Sequence, residues 1–182
     1  METTTTSGPV AAAIRERRTI KRFKTDPVPE ELLLHLLDTA SWAPNHGLRE
    51  PWRFILFLGE GRHRLLQAIN ENARKPKDPV ALMQVPAYLV IAIREEERPI
   101  VLEEDTLAAA TFVQNFQLAA WEQGVGVKWL TDPYTFRPEF RASIGLQSGE
   151  KLIGLLQVGY PEDIPAARPR TPAEQKLTVI RV

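Results

Sequence analysis

The chain has 182 residues, of which 43% are hydrophobic and 25% charged, enough for one globular domain with a sizeable core. Its 23 basic and 23 acidic residues balance to a formal net charge of +0, so the molecule as a whole lacks the electrostatic footprint of a general nucleic-acid binder. The absence of cysteine excludes a disulfide framework, a thiolate metal site and a thiol nucleophile, and no run approaches the roughly 18 consecutive apolar residues of a membrane span.

The start, METTTTSGPV, has neither a charged nor an apolar signal region, so a soluble cytoplasmic protein is expected, with residues 1–9 as a flexible leader and residues 10–182 as one domain. Pro9 stands at a suitable first helical turn, and PVAAAIRERR continues as a helix ending in a basic cluster. In DPVPEELLLHLLDTASWA, Pro29 and two glutamates open a second helix, whose leucines fill a wide apolar face and which stops at Pro44. RFILFLGE is a short buried strand, GRHRLLQAINENAR an amphipathic helix, KPKDPV a loop and AYLVIAI a second buried strand. The run from Thr106 to Gly124 is apolar nearly all round, as in a helix buried at a domain centre or in a subunit interface. VGVKWLT is a third strand, RPEFRASIGL a short helix, and KLIGLLQVGYP a fourth strand. A Pro-rich tail ends in the alternating KLTVIRV, a fifth strand suited to pairing with a second subunit. The predicted fold is α/β (α+β) in three layers: a central sheet of about five strands, mixed in direction and mainly antiparallel, flanked by helices on both faces.

Chemistry-bearing positions are few. The segment IRERRTIKRF carries Arg15, Arg17, Arg18, Lys21, Arg22 and Lys24 against one acid, Glu16. That pattern suits either a solvated helix end or an anion pocket, because the planar guanidinium matches phosphate. GVGVKW and GEGRHR lack the third glycine of a dinucleotide fingerprint, and neither a P-loop nor G-x-S-x-G is present. His35, His46 and His63 lie far apart, so no metal site is expected; His35 is read as a partly buried structural residue and His63 as a surface one. The segment APNHGLREPW, between a helix and a strand, is far more polar than a simple connection needs.

In order and spacing, RRTIKRF, the WAP turn, the PWRF that follows the polar loop, and EQGVGVKWLT together resemble the nitroreductase family of FMN-dependent NAD(P)H oxidoreductases, over about Ala11 to Tyr160. The short length and APNH look most like its compact YdjA-type branch. The resemblance implies an intertwined homodimer with an FMN site at each side of the interface. Arg17, Arg18 and Thr19 would hold the FMN phosphate and ribityl chain from one subunit, and Trp42 and His46 would approach from the other. Trp129, Leu130 and Thr131 would pass beside the flavin ring, Gly124 and Gly126 would allow close backbone approach, and Arg170 would be a further phosphate ligand. Glu50 stands where larger relatives carry glutamine, and is expected to pair with Arg49 or Arg53.

The activity so implied is ping-pong hydride transfer from NAD(P)H through FMN to a nitroaromatic, a quinone or a similar small acceptor, with neither nucleic acid nor membrane as partner. The resemblance names no catalytic side chain, and a proton-donor role for His46 competes with simple flavin contact. A flavin reductase, or a flavin-binding carrier or sensor without turnover, stays open as an alternative.

Overall fold

Four apolar runs pair into one sheet: β1 (Trp52–Leu58), β2 (Ala87–Arg94), β3 (Gly126–Leu130) and β4 (Glu150–Gly159), in the spatial order β1-β2-β4-β3. The computed structural model describes residues 8–181, so the expected leader lies outside the described residues except for Gly8 and Pro9. Every pairing is antiparallel, with Trp52 opposite Ile93 and Leu58 opposite Ala87 in the first ladder and Val127 opposite Val158 in the last. The only parallel link among the described residues is a single bridge between Thr19 and Val127. The expected fifth strand is not formed among the described residues. Residues 177–181 are exposed and carry no strand pairing, because an extended segment becomes a strand only when another edge completes its ladder.

β2 is buried from Ala87 to Ile93, and its alternation builds two cores at once. Ala87, Leu89 and Ile91 face one side, where α2 (Glu30–Ala40) and α5 (Pro99–Glu122) cover the sheet. Tyr88 and Val90 face the other, against α3 (Arg62–Asn72) and α6 (Pro138–Ser143). The expectation of helices on both faces therefore holds, and each helix shows why. α2 buries Leu33, Leu36, Leu37 and Ala40, the 3.6-residue stripe of a one-sided helix. α5 buries residues around more of its circumference, and its Phe112 meets Phe54 at 4.8 Å and Trp52 at 5.1 Å.

Three local expectations need correction. KPKDPV is a loop only as far as Asp78, whose carboxylate accepts from the Val80 amide at 2.9 Å and caps a short helix, α4 (Pro79–Met83). α5 begins seven residues before Thr106, at Pro99, where proline suits the first helical position. His35 is exposed, on the solvent side of the α2 stripe. No helix among the described residues is long and apolar enough to cross a membrane.

Candidate functional site

The basic run leaves α1 (Pro9–Glu16) at Arg17, whose φ of −53° and ψ of 133° end the helix. Beyond it the chain is stitched to the start of β3: Thr19 bridges Val127, and the Ile20 amide donates to the Val127 carbonyl at 3.2 Å. This stitching spreads the arginines over a surface instead of leaving them on a frayed helix end. Arg17 Nη1 donates to Gln117 Oε1 of α5 at 3.3 Å. Arg18 Nη1 donates to the carbonyls of Arg15 at 2.7 Å and Arg17 at 3.0 Å, while its Nε is buried with no partner among the described residues.

The Pro-rich tail returns opposite this run and closes a cleft of about 680 Å³. Arg15, Arg17, Arg18, Lys21, Arg168 and Arg170 line it, with Thr19 among them and no acidic residue. Partial burial, then the like charges of Arg18 and Arg170, lower the Arg17 pKa from its ordinary value. Cations held together without a carboxylate form a site that gains by admitting an anion, and guanidinium forks suit the oxygens of a phosphate. Of the two sequence-level readings of the cluster, its geometry favours the anion pocket.

The polar loop is built differently. The Asn45 side-chain oxygen accepts from the Glu50 amide at 2.9 Å, and Gly47, Leu48 and Glu50 take positive φ values of 61°, 52° and 45°. Left-handed backbone at two non-glycine residues needs an external hold. Arg49 supplies it, donating Nε and Nη2 to Asp105 Oδ1 at 3.0 and 2.7 Å and Nη2 to Glu104 Oε2 at 3.0 Å. His46 Nδ1 lies 3.8 Å from Glu104 Oε1. Glu50 therefore pairs with neither expected arginine, since Arg53 is engaged with Glu150. Arg49→Met is expected to raise amide hydrogen exchange at residues 45–50 by roughly tenfold while β2 stays protected, because only the loop loses its tether. Unchanged exchange in the loop would remove Arg49 as its anchor.

The loop leaves Trp42 and Leu48 89% and 82% exposed, lining with Asn45 and Glu50 a shallow cleft of about 480 Å³. Trp42 thus lines a cleft that shares no lining residue with the cationic one, and His46 lines neither. Along β3, Leu130 is buried, Thr131 is exposed, and the Trp129 indole nitrogen is buried without a partner. A Cβ on Gly154 would stand 2.9 Å from that nitrogen. Gly124 ends α5: its amide donates to Trp121 and that of Val125 to Ala120, with Gly124 at a φ of 70°, the left-handed helix stop that glycine favours. The close approach at Gly126 is to Ile20 and Pro161.

The structure thus gathers Arg17, Arg18, Thr19 and Arg170 in one cleft and leaves Trp42 and His46 out of its lining. Sequence reasoning missed Arg168, whose signal was the alternation in ARPR, and the Arg49–Asp105 clamp, which no local signal announced because Asp105 follows two other acids. Among the described residues no group of three or more His, Asp or Glu side chains forms a metal-binding cluster.

Known proteins resemble the chain over most of its length. The sequence model of the Nitroreductase family matches residues 14–160. YfhC of Bacillus subtilis, provisionally named an NAD(P)H nitroreductase, is 35% identical over 176 residues, covering 91% of each chain. The crystal structure of a nitroreductase-like family protein from Bacillus cereus is 37% identical and superposes with a TM-score of 0.88 over 97% of this chain and 98% of that one. At 22% identity, a Desulfovibrio desulfuricans nitroreductase-type structure in complex with FMN shares the fold, with a TM-score of 0.80 over 97% and 99% of the two chains.

Proposed function

The chain belongs to the nitroreductase family of oxidoreductases, and from that premise we propose that it is a cytoplasmic, FMN-dependent enzyme passing electrons from NAD(P)H to a small electron-poor acceptor such as a nitroaromatic or quinone. The observation that carries the reading is the cleft lined by six cations without an acid. The donor set fits the FMN phosphate, a group of roughly −1.5 to −2 charge with three strong acceptor oxygens.

In this reading Arg17, Arg18 and Thr19 bind the phosphate and the adjoining chain, and Arg170 adds a cation from the tail. Trp129, Leu130 and Thr131 orient the ring at the far end of β3. Bound FMN would supply a two-electron carrier that takes hydride from NAD(P)H in one half-reaction and reduces the acceptor in the next. The chain's own task is binding, orientation and exclusion of water, and no side chain is assigned as an acid or base. Two copies complete the site: Trp42 and His46, presented on a surface that leaves Trp42 and Leu48 in solvent, reach the flavin of the second subunit. The unpaired residues 177–181 add a strand to the partner, accounting for the fifth strand and for the homodimer.

The first test is the visible spectrum of the purified protein, followed anaerobically as NADH and then NADPH is added. A flavin spectrum that bleaches is expected. A colourless protein that also takes up no added FMN would sink the reading.

A further inference from the structure

The cationic cleft is larger and more strongly charged than one flavin phosphate requires. Its volume of about 680 Å³ falls within the roughly 300–1,000 Å³ of a whole small-molecule site, whereas a phosphate is a single small group. Six cations line it, and a phosphate of roughly −1.5 to −2 charge leaves about four of them unanswered.

The acids of the tail do not answer them. Glu162 and Asp163 are held outside the cleft by Arg22, whose Nε donates to Asp163 Oδ1 at 3.0 Å and lies 3.7 Å from Glu162 Oε2. The Glu162 amide donates to the Arg22 carbonyl at 3.1 Å, and Phe23 bridges Pro161. The tail therefore leaves the body at a fixed point with its acids spent, and only its cations, Arg168 and Arg170, reach the cleft.

Burial divides the six cations into two sets. Arg17 and Arg18 are half-buried and form the floor, with Arg17 tied to Gln117. Arg15, Lys21, Arg168 and Arg170 are exposed and form the rim. Buried guanidinium groups suit a resident group. Exposed charges are screened and hold a ligand more weakly, which suits one that leaves on every turnover. Of the rim cations, Arg170 serves the flavin phosphate in the reading above, and Arg15 stands in the last turn of α1, where its charge also meets the negative end of the helix. Lys21 from the basic run and Arg168 from the tail remain, one on each wall.

We propose that the rim takes a second phosphate, the 2′-phosphate of the electron donor, and so selects NADPH over NADH, with Lys21 and Arg168 as the selecting residues. This selection rests on the flavin reading above. The two donors share nicotinamide and pyrophosphate and differ only in that phosphate, which stands at the end of the molecule remote from the hydride. In FMN the phosphate is likewise remote from the ring. A donor stacked on the ring and running alongside the ribityl chain therefore carries its extra charge toward the rim.

The test titrates the oxidised, FMN-loaded protein calorimetrically with NADP⁺ and NAD⁺, which have no hydride to give and differ only in the 2′-phosphate. NADP⁺ is expected to bind about tenfold more tightly, the effect of one charge-assisted contact. In Lys21→Ala/Arg168→Ala the two affinities should converge through loss on the NADP⁺ side, with the flavin absorbance per chain unchanged. In Lys24→Ala, which removes an exposed cation outside the cleft, the preference should persist. Arg168→Gln alone alters only an exposed tail residue and should give part of the convergence if the double variant does not fold. Equal affinities in the parent, a preference that survives the cleft variants, or loss of FMN from the double variant would overturn the proposal. A parent protein that takes up no FMN fails the flavin reading instead, and its visible spectrum reports this before either dinucleotide is added.

Discussion

Arg18→Ala is expected to yield a folded protein that has lost its flavin. Arg18 is half-buried and lines the cleft, where its guanidinium is one of six cations set against no acid, so a phosphate held there would meet it. Hydrogen bonds to a charged group contribute about 1.5–3 kcal/mol each, so removing the guanidinium should weaken FMN by roughly a hundredfold. Part of the loss comes through the neighbours. Arg18 Nη1 ties down the carbonyls of Arg15 and Arg17, and without those bonds the turn that presents Arg17 to the cleft loosens. Arg18→Lys separates the two contributions, because it keeps the charge and loses the planar fork. An intermediate affinity is expected for it. FMN titration followed by absorbance, with circular dichroism as the check on folding, measures both variants; full occupancy in Arg18→Ala would remove this residue from the site.

The elements legible in the sequence are those whose periodicity reports burial. β2 reads as an unbroken apolar run because both of its faces are covered, and α2 declares its stripe because only one of its faces is. The length of α5 was harder to see, since its first turns carry Glu103, Glu104 and Asp105, which look like surface. Asp105 is nevertheless buried, because Arg49 comes to it from 56 residues away. No local pattern encodes a partner at that separation. The same limit applies to the cationic cleft. RRTIKRF announced a cluster of charge, but that Arg168 and Arg170 would face it depends on the return path of the tail. The fifth strand illustrates a different limit: KLTVIRV has the alternation of a strand, yet its described residues 177–181 pair with neither edge of the chain's own sheet, and alternation alone does not say where a strand pairs.

Gly126→Ala is expected to destabilise the fold by overpacking the contact between the basic segment and β3. A Cβ there would lie 2.4 Å from Ile20 Cγ1, 2.9 Å from Ile20 Cβ and 3.1 Å from Pro161 Cγ. Ile20 cannot yield by a rotamer change alone, because its Cβ is itself too close, it is fully buried, and its amide is bonded to Val127. The backbone from Thr19 to Phe23 would have to move away from β3. Overpacking of this kind costs about 1–3 kcal/mol, and this contact belongs at the upper end because a backbone segment must move. The midpoint of urea unfolding should fall accordingly at an unchanged slope. Gly124→Ala gives the contrast. Its Cβ meets nothing within 4 Å, so the cost is the left-handed backbone alone, about 1–2 kcal/mol. Because Ile20 follows Thr19 directly, the strain at Gly126 also passes to the phosphate cleft, so Gly126→Ala should lose flavin affinity as well as stability, whereas Gly124→Ala should lose mainly stability. If Gly126→Ala unfolded at the parent's urea concentration, the packing of the basic segment against β3 would be wrong, and with it the wall of the cleft.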